Sequence, residues 1–302
     1  MRVVNIGSMN IDYFYSVPHF VEPGETLHAT TRTRQTGGKG LNQSIALARA
    51  GVEVLHAGII GEDGDALKAC LEEYDVNTTL IKKLAGEASG HAVIQVDAQG
   101  QNCILLYSGT NFAFTANYIH EILNQTQAGD IVLLQNEIND LPYVIEAAHR
   151  RGLTVIFNAA PASAAVRNYP LQYLDYLIIN EVEGKHITGE TQPERITQAL
   201  LSQYPNLKIV LTLGEDGAIF ADKTQEIRVA AHPVDTVVDT TSAGDTFTGY
   251  FLSCWPIKND RTSIQAALQL ACRASALCIQ RQGSSNSIPW RQELEESLVS
   301  LV

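Results

Sequence analysis

The chain has little of what several protein classes require. Its 302 residues include five cysteines (Cys70, Cys103, Cys254, Cys272 and Cys278), an odd number with no C-x-x-C pair. A disulfide framework or a zinc knuckle needs other spacings, so the cysteine usage fits a reducing compartment and a cytoplasmic protein is expected. Positive charge is also scarce: 21 Lys and Arg stand against 33 Asp and Glu, for a formal charge of -12. That balance is unfavourable for gripping nucleic-acid backbone or an anionic bilayer, so neither partner is expected. No stretch approaches the roughly 18 apolar residues of a membrane span. The opening MRVVNIG has one Arg and an apolar run broken by Asn5, and reads as a first strand rather than a signal peptide. Repeats, low-complexity tracts and long linkers are missing as well.

What remains is ample material for a core. Apolar residues make up 45% of the chain and charged residues 18%. A chain of this length can bury roughly three quarters of its unfolded surface. One domain spanning 1–302 is expected. From about residue 115 onward, short Ile-, Val- and Leu-rich runs (131–134, 154–157, 176–179 and 209–213) alternate with helix-like stretches such as 139–151 and 192–203. The runs lack apolar/polar alternation, as in strands buried on both faces, and the order predicts a parallel sheet covered by helices. Gly152 is placed to stop a helix. In 264–280, small and apolar residues including Cys272 and Cys278 recur at helical spacing, which predicts a closely packed core helix.

Two segments break the pattern. Residues 11–38 carry aromatic and Thr-rich stretches around Pro18, Pro23 and Gly24, and 91–107 reads as two alternating strands joined by a turn at Asp97 to Gln101. Both look like antiparallel strands inserted near the amino end of an α/β domain, either as edge decoration or as a lid.

Three short segments carry chemistry. The first is DTTSAGDTF, where a β-branched stretch ends at Asp239 and a helix-compatible run follows Gly244. Ser242, Ala243 and Gly244 are small enough for a ligand to approach the backbone. A helix starting there would aim unpartnered N–H groups outward beside the positive end of its dipole. This makes an anion hole suited to a transferring phosphoryl group, with Asp245 ready to accept a hydroxyl proton. An ordinary helix cap explains the same residues. The second is TGGKGLNQ (36–43), whose glycines allow a tight turn while Lys39 and Asn42 offer donors; it lacks Walker A spacing. In the third, GSMNID, Asn10 and Asp12 would share one face of an extended chain and could bind neighbouring hydroxyls of a small polyol. A plain turn is the alternative.

Together these segments resemble the PfkB carbohydrate kinase family. The likeness covers nearly the whole chain, through GSMNID, PGET (Pro23 to Thr26), GGKGLNQ, GEDG (Gly61 to Gly64) and NAAPA (Asn158 to Ala162). It continues through NEVE (Asn180 to Glu183), TLGEDG (Thr212 to Gly217), DTTSAGDTF and RQGSSNSIPW (Arg281 to Trp290). The resemblance implies a ribokinase-like three-layer α/β/α sandwich with a mostly parallel sheet and a small β-sheet lid. It also implies a homodimer through that lid. The implied activity is ATP-dependent phosphorylation of the primary hydroxyl of a sugar, D-ribose foremost, to give D-ribose 5-phosphate.

Residue by residue, Asp245 matches the family's catalytic base, and Ser242, Ala243 and Gly244 match its anion hole. Asn10, Asp12, Gly38, Lys39, Gly40, Asn42 and Glu137 match sugar-contacting positions, as does Asp245 itself. Asn180 and Glu183 match a region serving phosphate and Mg²⁺ water. Thr212, Leu213, Gly214, Glu215, Asp216, Gly217, Gly244 and Cys272 fall where ATP is held. Asp239, the carbonyls of Thr241, Cys278, Arg281 and Gly283, and Ser287 match a K⁺ site. The family usually has Gly or Ala at the position of Ser242, where a serine should fit, and often a polar residue at that of Cys272.

Other readings are kept in view. Kinases of the same family act on deoxyribose, other sugars, sugar acids or nucleosides. A nucleoside would need an aromatic or apolar base pocket, to which Tyr13, Phe14, Phe112 and Phe114 are candidates. A nucleotide-dependent oxidoreductase would carry G-x-G-x-x-G after the first strand, and GSMNID is not that. A catalytically silent sensor would have lost Asp245 or Gly244, and both are present.

Overall fold

The computed structural model describes residues 2–299. Nine strands form the main sheet: β1 (Arg2–Ile6), β4 (Glu53–Ile60), β5 (Asn77–Lys83), β8 (Ile131–Gln135), β9 (Thr154–Asn158), β10 (Tyr176–Asn180), β11 (Lys208–Thr212), β12 (Ala218–Ala221) and β13 (Glu226–Val229). Their spatial order is β13-β12-β11-β10-β9-β8-β1-β4-β5. The seven strands from β11 to β5 are parallel, and β12 and β13 continue antiparallel at one edge. The strands expected from continuous apolar runs therefore lie centrally in the sheet.

Side-chain alternation divides the core into two layers. Val3, Ile131, Leu133, Ile178 and Val210 pack with one set of helices. These are α1 (Lys39–Arg49), α2 (Asp65–Glu73), α7 (Ala243–Leu252) and α8 (Arg261–Cys278), joined by Leu294 of α9 (Arg291–Val299). Val4, Val132, Leu134, Ile179 and Leu211 face the other way, toward α3 (Ala116–Asn124), α4 (Leu141–Arg150) and α6 (Pro193–Gln203). The result is a three-layer α/β/α sandwich. The helix predicted for the small-residue stretch is α8, with Cys272 and Cys278 buried in it. Gly152 takes φ +70° just beyond α4, as expected of a helix stop. Among the described residues, no helix is long and apolar enough to cross a membrane.

A second sheet has the order β3-β2-β6-β7, built from β2 (Asn10–Ser16), β3 (Thr31–Gly37), β6 (Gly90–Val96) and β7 (Asn102–Tyr107). The β6–β7 pair is the expected hairpin, closed through Asp97, whose carboxylate accepts the Gln99 and Gln101 N–H groups. Period-two alternation sends Asp12, Phe14, Ala92, Ile94, Ile104 and Leu106 to one face, above the carboxyl ends of the main strands.

Candidate active site

Strand order reverses between β1 and β8: the chain proceeds outward through β4 and β5 on one side, and through β9, β10 and β11 on the other. In such sheets the crevice outside the carboxyl ends at the reversal is the natural ligand site. A cavity of about 520 Å³ lies there. Its walls come from strand ends (Asn158, Asn180 and Thr212), from Asn10, Asp12 and Phe14 of β2, from Gly38, Lys39 and Asn42 around the start of α1, and from 240–245. Glu137, two residues past β8, completes its polar side.

Asp245 lines this cavity from the first turn of α7 and is buried. The Asn42 amide donates to its Oδ2 at 3.1 Å, and the Gln43 amide donates to its Oδ1 at 2.9 Å. Ser242 caps α7 with φ +63°. This is a left-handed conformation that glycine adopts without the steric cost a serine bears, so Ser242 fits, but under local strain. Gly244 has open space where a Cβ would stand, so its backbone is accessible to a ligand.

Acidic groups and one lysine share the pocket. Glu137 Oε2 accepts the Ser8 hydroxyl at 2.5 Å and the Lys39 N–H at 3.0 Å, fastening β8 to the β1–β2 connection across the strand-order reversal. Burial, with the nearby Glu137 charge, pushes the Asp12 carboxyl up to about 7. Burial works against the Lys39 ammonium, but Asp245, Glu137 and Glu183 outweigh it and raise its pKa. Lys39 is thus a fixed positive charge in an acidic chain. Asn10 is set by Asn111, whose amide donates to Asn10 Oδ1 at 2.7 Å.

A second cavity, of about 830 Å³, adjoins the first; Asn180, Thr212, Thr240, Ala243 and Gly244 line both. Gly214, Glu215, Gly217 and Cys272 line it, together with an apolar strip from Pro233, Val234, Val237, Phe247 and Ile279. Its size, apolar wall and contact with a helix N-terminus suit a nucleotide. Asn180 and Glu183 form a reciprocal cap at the start of α5 (Glu181–Thr188). Burial, reinforced by Asp245, raises the Glu183 carboxyl above its ordinary range against the opposing Asn180 N–H and Lys39.

Beside the α7 N-terminus, Asp239 accepts the Thr241 N–H at 2.9 Å and the Gly283 N–H at 3.0 Å, joining the two loops. Burial opposes its ionisation, yet the Thr241 and Gly283 bonds hold its carboxyl below the usual range. The loops that carry Thr241, Cys278 and Ser287 also meet here: the Cys278 thiol lies 3.7 Å from the Thr241 carbonyl and 3.2 Å from the Ser287 hydroxyl, which donates to the Ser284 carbonyl at 2.7 Å. Among the described residues, no group of three or more His, Cys, Asp or Glu could hold a metal ion.

The structure therefore gathers Asn10, Asp12, Gly38, Lys39, Asn42, Glu137, Asn180, Glu183 and Ser242 to Asp245 around one cavity. Gly40, Leu213 and Asp216, also read from sequence, line neither cavity. Gly40 instead allows α1 to touch the strand connection, since a Cβ there would stand 2.4 Å from Ser8 N. Of the four aromatics considered for a base pocket, only Phe14 lines a cavity. Tyr13 points to the opposite face of its strand, Phe114 is buried in the other core layer, and Phe112 is exposed. Sequence reading missed Gln43, Asn111, Asn158 and Ser8. Asn158 lay inside NAAPA and Gln43 inside GGKGLNQ, so the motifs were visible while these side chains' partners were not.

A cavity with one side of amides, carboxylates and a lysine, meeting a nucleotide-sized cavity at a helix N-terminus beside a carboxylate, fits an enzyme that passes a group between two small molecules. The profile of the pfkB family carbohydrate kinases matches residues 1–291, and the chain belongs to that family. A ribokinase of Staphylococcus aureus (strain COL) is 34% identical over 98% of this chain and 99% of its own. A deoxyribokinase of Salmonella typhimurium is 30% identical over 99% of each chain. The structure of Arabidopsis thaliana ribokinase complexed with ribose and ATP matches with a TM-score of 0.85, at 29% identity over 98% of each chain.

Proposed function

We propose that the chain is an ATP-dependent ribokinase, converting D-ribose to D-ribose 5-phosphate in the cytoplasm. The observation that carries this reading is the place of Asp245: it lines the first cavity on its polar side, where Ala243 and Gly244 open onto the second one. A sugar in the first cavity and ATP in the second would meet there. The near-full-length similarity to the Staphylococcus ribokinase supports ribose as the sugar. Of the aromatics considered for a base, Tyr13, Phe112 and Phe114 are off the cavity walls, but Phe14 with Ala92, Ile94, Ile104 and Leu106 gives the lid an apolar face, so nucleosides belong in the substrate test.

Asn10, Asp12, Gly38, Lys39, Asn42 and Glu137 hold the sugar so that its primary hydroxyl faces Asp245. Asp245 accepts that hydroxyl's proton as the oxygen bonds to the γ-phosphorus, and the bond from phosphorus to the leaving ADP oxygen breaks. The backbone of Ser242, Ala243 and Gly244, with Lys39, balances the charge on the transferring group. Thr212, Gly214, Glu215 and Gly217 border the nucleotide, and Cys272 contributes shape. Asn180 and Glu183 would hold Mg²⁺ through water, which would supply neutralisation of the phosphate oxygens. The donor set around Asp239 would hold K⁺, which would supply positive charge and order beside the anion hole.

The smaller sheet acts as a lid that excludes water from the transfer. Among the described residues its β7 edge has no partner strand, and Ile104, Leu105, Leu106 and Tyr107 are 57%, 72%, 46% and 52% exposed. A second copy is the expected cover, giving a homodimer. The test is ATP consumption across pentoses, deoxyribose, hexoses and nucleosides, with and without K⁺. Ribose is expected to give the highest kcat/KM and K⁺ to raise it. Failure with every sugar would overturn the kinase reading, and a deoxyribose or nucleoside preference would overturn ribose.

A further inference from the structure

Gln43 is fully buried and lines neither cavity, yet its amide reaches the carboxylate at the centre of the site. Its Nε2 donates to Asp245 Oδ1 and to Asn158 Oδ1, both at 2.9 Å, and its Oε1 accepts from Gln135 Nε2 at 2.8 Å. Gln135 Nε2 also donates to Asn5 Oδ1 at 2.9 Å. Main-chain carbonyls fix both ends of this chain of amides. Asn158 Nδ2 donates to the Ile178 carbonyl at 3.1 Å, and Asn5 Nδ2 donates to the Gly40 carbonyl at 2.8 Å. A backbone carbonyl can only accept, so Asn158 must turn its oxygen to Gln43 and Asn5 must turn its oxygen to Gln135. Gln135 then presents its amide nitrogen to Gln43, and Gln43 presents both N–H groups to Asn158 and Asp245. Flipping Gln43 would set oxygen against two oxygens and nitrogen against nitrogen. One strand-buried network thus dictates which end of Gln43 faces the carboxylate.

We infer that Gln43 is a positioning residue for the proposed phosphoryl transfer, acting through Asp245. Its N–H group occupies Oδ1 while the Asn42 amide occupies Oδ2. Two consecutive residues of α1 thereby fix the rotation of the carboxylate, and the lone pairs they leave are those available to a hydroxyl in the cavity. Orientation of a base within a few tenths of an ångström is worth large rate factors, whereas affinity depends on it much less, since most proposed sugar contacts (Asn10, Asp12, Lys39 and Glu137) and the nucleotide cavity lie elsewhere. This assignment rests on the reading of Asp245 as the base.

The test is steady-state kinetics of the full chain with Gln43→Met and Gln43→Glu, each alone and combined with Asp245→Asn. The wild type is measured first, so that loss of the kinase reading (no sugar-dependent ADP formation) is distinct from loss of this one. With an active wild type, Gln43→Met is expected to lower kcat by about 10- to 100-fold and leave both KM values within about threefold. In the Asp245→Asn background the same change is expected to alter the residual rate by less than about threefold, because the group it positions is gone. Gln43→Glu keeps the acceptor toward Gln135 but sets a second buried carboxyl against Asp245, so the pair shares a proton and Asp245 takes a hydroxyl proton less readily; it is expected to lose at least as much kcat. It carries the test should Gln43→Met not accumulate folded. Unchanged kcat in the folded variant, or a full multiplicative loss on top of Asp245→Asn, overturns the assignment.

Discussion

Asn180 and Glu183 hold each other: the Asn180 side chain accepts the Glu183 N–H at 2.9 Å, and Glu183 Oε2 accepts the Asn180 N–H at 2.8 Å. This is a capping box, so the N-x-x-E motif has a local structural role before any ligand arrives. Glutamine at 183 can still accept the Asn180 N–H but carries no charge. Glu183→Gln is therefore expected to keep Tm within about 2 °C while lowering kcat roughly tenfold and raising the Mg²⁺ concentration needed for half-maximal rate. Glu183→Ala is expected to cost about 1–2 kcal/mol of stability as well. An unchanged Mg²⁺ titration in the Gln variant would leave Glu183 a cap and nothing more.

Asp245 allows a cleaner separation. It receives donors at both oxygens, and an asparagine can retain one of them with little change of shape. Asp245→Asn is expected to preserve the melting profile within a few degrees and to lower kcat by about 10²–10⁴. Thermal denaturation and a coupled ADP assay on the same preparation check both parts. A variant that keeps a tenth of the wild-type rate would remove Asp245 from the base role.

How far the sequence reveals this arrangement differs between strands and site. β8, β9, β10 and β11 announce themselves because strands buried on both faces need unbroken apolar runs. The period-two rule also suffices to place Tyr13 opposite Asp12 and Phe14, and so outside the pocket. Gln43 is the contrary case. An amide on a helix ordinarily reads as solvent-facing, and its partners Gln135, Asn158 and Asp245 are 92, 115 and 202 residues away. The sheet order, which sets β8 between β9 and β1, gathers Asn158, Gln135 and Asn5, and the packing of α1 against α7 brings Gln43 to Asp245. Local pattern carries the elements and motifs, while the buried amide network belongs to tertiary register alone.

Gly40 tests the packing beneath the site. A Cβ there would stand 2.4 Å from Ser8 N and 2.6 Å from the Gly7 carbonyl carbon, so α1 would have to withdraw from the β1–β2 connection. That shift would also pull on the Ser8 hydroxyl, which holds Glu137. Gly40→Ala is expected to destabilise the fold by about 2–3 kcal/mol and to raise the sugar KM. Urea denaturation and sugar titrations measure the two effects. A loss below about 0.5 kcal/mol would mean that the helix is free to slide.

The exposed β7 edge makes its own prediction. Leu105 is 72% exposed and absent from both cavities, unlike its neighbours Ile104 and Leu106, which line the sugar-sized one. Leu105→Lys is expected to convert a dimer to monomers in light scattering after size exclusion, with the intrachain β6–β7 pairing intact. A wild type that is monomeric at assay and at tenfold higher concentration would remove the proposed dimer.

Asp12 couples the site to pH. Burial and the Glu137 charge raise its carboxyl from 3.8 to about 7. The folded protein therefore retains a proton that the unfolded chain has released between about pH 4 and pH 7, and this contribution to stability falls as pH rises through that window. Asp12→Asn removes the conflict. The variant is expected to be more stable than wild type by about 1–3 kcal/mol at pH 8, the cavity's access to water trimming the roughly 4 kcal/mol that three pH units represent, with no difference near pH 4. Binding has the opposite sign. An ionised Asp12 accepts a sugar hydroxyl better than a protonated one, so the wild-type sugar KM is expected to rise up to about tenfold from pH 8 to pH 6. In Asp12→Asn, KM should be higher at pH 8 and flat over the same range. Denaturation midpoints and sugar titrations at pH 4, 6 and 8 decide it: a flat wild-type KM, or a variant with the same slope, would assign the proton to another group.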